Sequence, residues 1–183
     1  MSSKYPIHRE RIQILVCVWV LASVVLPSTS FAEAPAASAH FVRGADMSFV
    51  AEVEALGLRY GGAQGQGDPF AILADAGLTH VRFRLWHDHP EGRNSLESTL
   101  EMARRADEAG LSVLLDFHYS DTWADPSQQE IPEAWDDMGL TQLAQAVYDY
   151  TSRTLRRFRS EGVDVDLVQI GNEIGHGSLW PIG

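Results

Sequence analysis

The chain has 183 residues, a formal net charge of −11 and a single cysteine, Cys17. An acidic balance disfavours nucleic acid and anionic lipid as partners and suits a neutral ligand. With its one cysteine inside an apolar N-terminal run, the rest of the chain has neither a disulfide framework nor a Cys-based metal site.

The N-terminus reads as an export signal. Lys4, Arg9 and Arg11 precede an apolar run of thirteen residues, Ile14–Leu26, followed by Pro27 and the small-residue stretch Ser28–Ala32. That order of basic, apolar and small residues is the grammar of a secretory signal peptide. The run is shorter than the roughly 20 residues a membrane-spanning helix needs. Ser30 and Ala32 supply the small side chains a signal peptidase reads, so cleavage is expected after Ala32; an uncleaved anchor is the alternative. Residues 1–32 are thus read as a signal peptide, 33–40 as a disordered Ala/Ser/Pro-rich lead-in, and 41–183 as the folded part. Removing residues 1–32 takes away three bases and one acid, which leaves −13. The expected product is periplasmic or extracellular, free of the membrane and monomeric.

Beyond the lead-in, strands and helices alternate. Phe41–Asp46 is a short strand ending in an acid, and Phe49–Leu56 a short helix closed by Gly57. Gly61–Gly67 reads as a surface loop at a hairpin tip. Asp68 caps the next helix, Pro69 takes its first position and Gly77 ends it. Thr79–Trp86 alternates strictly: Val81, Phe83 and Leu85 on one face, His80, Arg82, Arg84 and Trp86 on the other. Ser95 caps a helix with Leu96, Leu100, Ala103 and Ala106 at helical spacing, and Gly110 stops it. Leu111–Phe117 is an apolar strand, followed by a loop with Pro126 and Pro132. In the long helix Leu140–Phe158, a stripe runs through Leu140, Leu143, Val147, Tyr150, Leu155 and Phe158. After Gly162, Asp166–Ile170 reads as another buried strand.

Strand and helix repeated three times, then a fourth strand, argue for parallel βαβ units. Both an open doubly wound sheet and a closed (β/α)8 TIM barrel satisfy that pattern. A sheet covered on both faces has near-continuous apolar strands, whereas here one face carries two arginines and a tryptophan. Those groups need a polar lumen, which favours the barrel. Such barrels take about 250 residues, so the chain is expected to cover roughly the first four β/α units of a larger fold.

Three strand ends concentrate the chemistry. In Val81–Trp86 the guanidinium groups face inward, where arginine can fix a carboxylate's ionisation and orientation; solvated surface arginines are the bland alternative. In Asp116–Pro126, hydrogen-bonding groups mixed with Tyr119 and Trp123 suit a sugar, whose apolar face stacks on aromatic rings. Asp116 and His118 also have metal-ligand spacing on a strand, but no further ligands are obvious, and a purely structural histidine competes. In Val168–Glu173, a carboxylate just past a buried strand is expected to be desolvated toward a general acid's pKa, with Asn172 beside it to hold a substrate hydroxyl.

At these residues the sequence resembles glycoside hydrolase family 53, the arabinogalactan endo-β-1,4-galactanases. The matches are Arg43-Gly44-Ala45-Asp46, Val81–Trp86, Asp116–Pro126, Gln169–Ile174 and Leu179-Trp180-Pro181, covering about Phe41 to Gly183. The resemblance implies a retaining barrel glycosidase acting on a polysaccharide, with two glutamates after the fourth and seventh strands. Glu173 matches the acid/base and Asn172 the neighbour that binds the sugar 2-hydroxyl. By the same likeness Arg82, His118, Trp123 and Asp125 line the substrate cleft, with Arg84 and Trp86 also facing it. The nucleophile falls in a strand this chain does not contain, so these residues alone are expected to be inactive. No cofactor and no metal are implied here; a structural Ca²⁺ in the rest of such a barrel stays open. Gly175-His176-Gly177-Ser178 departs from the family's bulkier stretch. A related endo-glycanase (mannanase or glucanase) and a non-catalytic carbohydrate-binding fragment are the competing readings.

Overall fold

A computed structural model of the protein describes residues 41–183, so the expected signal peptide and lead-in lie outside the described residues. In chain order the elements are β1 (Gly44–Asp46), α1 (Val50–Ala55), β2 (Tyr60–Gly62), β3 (Gly65–Gly67), α2 (Pro69–Asp75), β4 (His80–Leu85), α3 (Leu96–Glu108), β5 (Ser112–Phe117), α4 (Leu140–Ser160) and β6 (Leu167–Ile170). Strands β1, β4, β5 and β6 pair in parallel in that order. Spatial order follows chain order without reversal. A doubly wound sheet reverses at a switch point, so this succession is that of a barrel arc.

Local chemistry sets the helix starts as the sequence implies. Asp68 Oδ1 accepts from Phe70 N at 2.8 Å and Ala71 N at 3.4 Å, ahead of Pro69, whose missing N–H costs nothing at the first helical position. Ser95 Oγ accepts from Ser98 N at 3.3 Å and opens α3. At the start of α4, Gly139 N donates to Gln142 Oε1 at 3.0 Å.

The core lies between the sheet and the helices. Val81, Phe83 and Leu85 of β4 and Val113, Leu115 and Phe117 of β5 are all buried, against Leu100, Ala103 and Ala106 of α3 and Leu143, Tyr150 and Phe158 of α4. Each fully buried large apolar side chain contributes about 1.5–3 kcal/mol.

Two expectations change. Leu140 is exposed, and the core-facing stripe of α4 begins one turn later, at Leu143. The hairpin expected at Gly61–Gly67 is present: β2 and β3 pair antiparallel, Tyr60 opposite Gly67 and Gly62 opposite Gly65. Ile72 of α2 covers the hairpin so closely that a Cβ on Gly62 would lie 3.0 Å from Ile72 Cγ2. Strand β6 is not buried, since Leu167, Val168 and Ile170 are exposed. The physical reason is cover: β6 pairs with β5, and among the described residues no helix packs broadly against its faces.

Candidate active site

The C-terminal ends of the four parallel strands converge on one guanidinium. Arg82 of β4 donates through Nη1 to Asp46 at the end of β1 and through Nη2 to Asp116 of β5. Nη2 also reaches Asn172 Oδ1 at 2.9 Å, and Nε reaches Gln169 Oε1 of β6 at 3.3 Å. Parallel register makes this convergence unavoidable. Asp46 stands opposite Arg82, Arg84 opposite Asp116, and Asp116 opposite Gln169.

Asp46 serves both arginines, since Arg84 Nη2 lies 3.3 Å from its Oδ1. Burial works to raise the Asp46 pKa, but hydrogen bonds from Ser48 and the nearby arginine charges outweigh it and hold the carboxyl below its ordinary value. Burial pulls the Arg84 guanidinium down from its usual value, opposed by Asp46. Arginine stays charged through such a shift.

Behind this layer sits a buried pair, Asp116 and His118, with His118 Nε2 3.0 Å from Asp116 Oδ2. Two obligate N–H donors meet the other ring nitrogen: Trp86 Nε1 at 3.3 Å and Ala124 N at 3.1 Å. His118 Nδ1 is therefore an acceptor, and the ring proton sits on Nε2, donated to Asp116. Asp116 Oδ2 and His118 Nε2 are thus spent on each other, and His118 Nδ1 on Trp86 and Ala124. No group of three or more potential His, Cys, Asp or Glu ligands occurs among the described residues.

Asn172 is fixed from several sides. Its Oδ1 accepts from Arg82 and from Gln169 Nε2 at 3.2 Å, and its Nδ2 donates to Ala124 O at 2.7 Å. Gln129 Nε2 holds the Asn172 carbonyl at 2.7 Å. The second Nδ2 hydrogen has no hydrogen-bond partner among the described residues. Gly171, with φ +79°, makes the turn out of β6, and Glu173 follows with φ +53°. A left-handed glutamate is strained by about 1–2 kcal/mol, and such outliers gather at functional sites.

Asp46, Phe49, Arg82, Arg84, Trp123, Asn172 and Glu173 line one open cleft of about 350 Å³. Of the residues singled out in the sequence, Arg82, Arg84, Trp123, Asn172 and Glu173 meet there. Others stand behind it. Trp86 and His118 are 2% and 1% exposed, so they support the cleft wall instead of presenting a surface to a ligand. Asp125 spends its carboxylate on its own turn: Oδ1 accepts from Ser127 N at 2.7 Å, Ser127 Oγ at 2.6 Å and Gln128 N at 3.2 Å. Hydrogen bonds from Ser127 hold its pKa below the ordinary value. Glu173 itself is exposed.

Sequence reading left Asp46, Gln169 and Phe49 without roles. The signal for Asp46 was present, because an inward arginine needs a carboxylate partner and an acid ends the neighbouring strand. Phe49, at the start of α1, carried none.

The family model for glycosyl hydrolase family 53 matches residues 42–183. The chain belongs to that family. It is 44% identical over 142 residues to the arabinogalactan endo-beta-1,4-galactanase of Humicola insolens, covering 77% of this chain and 42% of the relative. With a probable arabinogalactan endo-beta-1,4-galactanase A of Neosartorya fischeri it shares 40% identity over 171 residues, 93% of this chain and 46% of the relative. A solved structure from a study of two fungal beta-1,4-galactanases superposes with a TM-score of 0.75 at 42% identity, covering 78% of this chain and 43% of that one. The Ignisphaera aggregans family 53 catalytic domain gives a TM-score of 0.73 at 39% identity, covering 77% and 42%. The family 53 chain described here thus spans somewhat under half the length of these relatives, and its sheet is an arc of a (β/α)8 barrel.

Proposed function

We propose that this chain forms the N-terminal half of a secreted endo-β-1,4-galactanase that hydrolyses β-1,4-galactosidic bonds in arabinogalactan with retention. The observation that carries the reading is the cleft shared by Glu173, Asn172, Arg82 and Trp123 in a family 53 chain whose relatives are named for that activity.

In this reading Glu173 is the general acid/base. It protonates the leaving glycosidic oxygen while a carboxylate from a later strand attacks the anomeric carbon. It then takes a proton from the water that releases the sugar, with the two carboxyls roughly 5 Å apart. The remaining Asn172 Nδ2 hydrogen donates to a hydroxyl of the bound sugar, and Trp123 stacks on an apolar ring face. Arg82 keeps the Asn172 amide turned so that its nitrogen, not its oxygen, is available. A neutral polysaccharide suits a chain of net charge −11. Export removes residues 1–32, and mass spectrometry of the mature N-terminus reads that step.

The test is reducing-sugar release from β-1,4-galactan by the complete gene product, wild type beside Glu173→Gln. Activity that falls roughly 10²–10⁴-fold in the variant supports the role of Glu173. Wild-type turnover of mannan or glucan with none of galactan overturns the substrate.

A further inference from the structure

Phe49 and Trp123 are the exposed aromatic rings of the cleft, 48% and 38% open to solvent, and each lies over the same guanidinium. The Arg84 carbon Cζ is 4.2 Å from the Phe49 ring centroid and 4.3 Å from that of Trp123. The two centroids are 6.3 Å apart with the planes inclined by 52°. These three separations make close to a right angle at the guanidinium, so Arg84 sits in the notch of a V whose arms are the two rings. Arg84 is itself 4% exposed, tied to Asp46 by its side chain and to Ser48 Oγ by its backbone at 2.8 Å. Trp86 buttresses Trp123 from another side, at 5.9 Å and edge-on.

We propose that Phe49 and Trp123 form one sugar-stacking wall of the cleft, with Arg84 as the positioning residue that sets the angle between them. The proposal rests on the galactanase reading for its ligand but not for its geometry. Arg84 does not touch substrate. Its planar cation occupies a ring face on each aromatic that would otherwise need water or an apolar neighbour. Phe49 comes from the start of α1 and Trp123 from the loop after β5, so without the guanidinium the rings are coupled only through a tilted, 6.3 Å contact. A saccharide ring needs a fixed surface, and two rings whose mutual angle is no longer set give it none.

The experiment compares wild type, Arg84→Met, Arg84→Lys, Trp123→Ala and the Arg84→Met/Trp123→Ala double variant of the complete gene product. The expected result for Arg84→Met is a roughly tenfold rise in KM for galactan with kcat within about twofold, from the loss of two cation–π contacts. Arg84→Lys, which keeps the charge beside Asp46 but loses the planar fork, falls between. In the Trp123→Ala background the Arg84→Met effect on KM largely vanishes. An equal loss in both backgrounds, or a loss in kcat alone, overturns the proposal and leaves Arg84 a structural residue. Hydroxyl-radical footprinting at Phe49 and Trp123 provides a readout that needs no substrate: labelling of both rises in Arg84→Met, and unchanged labelling overturns the proposal even if galactan proves not to be the substrate. Should Arg84→Met fail to fold, Arg84→Lys carries the same footprint comparison.

Discussion

His118 holds its only ring proton against Asp116, 3.0 Å away, with both side chains out of solvent. The pair does two jobs at once. Asp116 keeps Arg82 aimed at the strand ends, and the far nitrogen of His118 pins Ala124 in the loop that carries Trp123. Removing the imidazole leaves a buried carboxylate short of a donor and an amide without its acceptor. His118→Ala is expected to cost about 2–4 kcal/mol, read as a fall in the urea midpoint at unchanged slope. A cost below the error of that measurement would mean that water replaces the ring at no loss.

The left-handed backbone at Glu173 predicts an opposition between stability and activity. Glu173→Gly relieves the strain of φ +53° but adds freedom to the unfolded chain, for a net gain of about 0.5–1 kcal/mol. Activity is abolished by the same change. Denaturant unfolding beside galactan turnover checks both, and a destabilised Glu173→Gly would show that this backbone is relaxed with glutamate in place.

Gly171 is the turn's fixed point. A Cβ there would lie 2.6 Å from Ile174 Cγ2, at φ +79°. Gly171→Ala is therefore expected to lose about 2–4 kcal/mol from backbone strain and overpacking together. Because Glu173 follows two residues later, kcat falls too. Retained activity with lost stability would mean that Ile174 moves aside and leaves Glu173 where it was.

Asp46 sets an acid limb on stability. Its folded pKa lies below the ordinary value, so the stabilisation it gives is complete above about pH 4, the unfolded value, and is lost as pH falls through the folded one. Asp46→Asn is expected to lower the melting temperature near pH 6 and to flatten the decline below about pH 4, where wild type loses this contribution. Parallel curves for the two proteins would assign the acid limb to other carboxylates, Asp125 among them, whose pKa is also held down.

Where a residue's neighbours are close in sequence, or its period is strict, the sequence disclosed its place. Asp68 and Ser95 act on backbone groups two or three residues away and Pro69 at its own position, so their capping roles were plain. The alternation from Val81 to Trp86 separated core from lumen correctly because a strand has a period of two. What it could not disclose was depth along the lumen. His118, Trp86 and Trp123 share one cluster of edge-on and tilted rings, yet only Trp123 reaches solvent. Which of three polar or aromatic groups lies outermost depends on how the loop folds back, and the chain does not encode that locally. The burial of β6 was misjudged for a related reason: Leu167, Val168 and Ile170 are apolar enough for a core strand, but burial is a property of neighbours, and among the described residues no helix packs broadly on this strand.

The peptide at Ala124 has a consequence for anyone redesigning specificity. Its N–H is held by His118 at the end of β5 and its carbonyl by Asn172 beyond β6. The loop bearing Trp123 is thus not a module that can be lifted from one barrel and grafted onto another. A transplanted loop would arrive without its two anchors, and Trp123 would lose its place even with every loop residue preserved. The unit that inheritance or engineering must move as one is discontinuous: residues 118–129 together with the turn at 169–173.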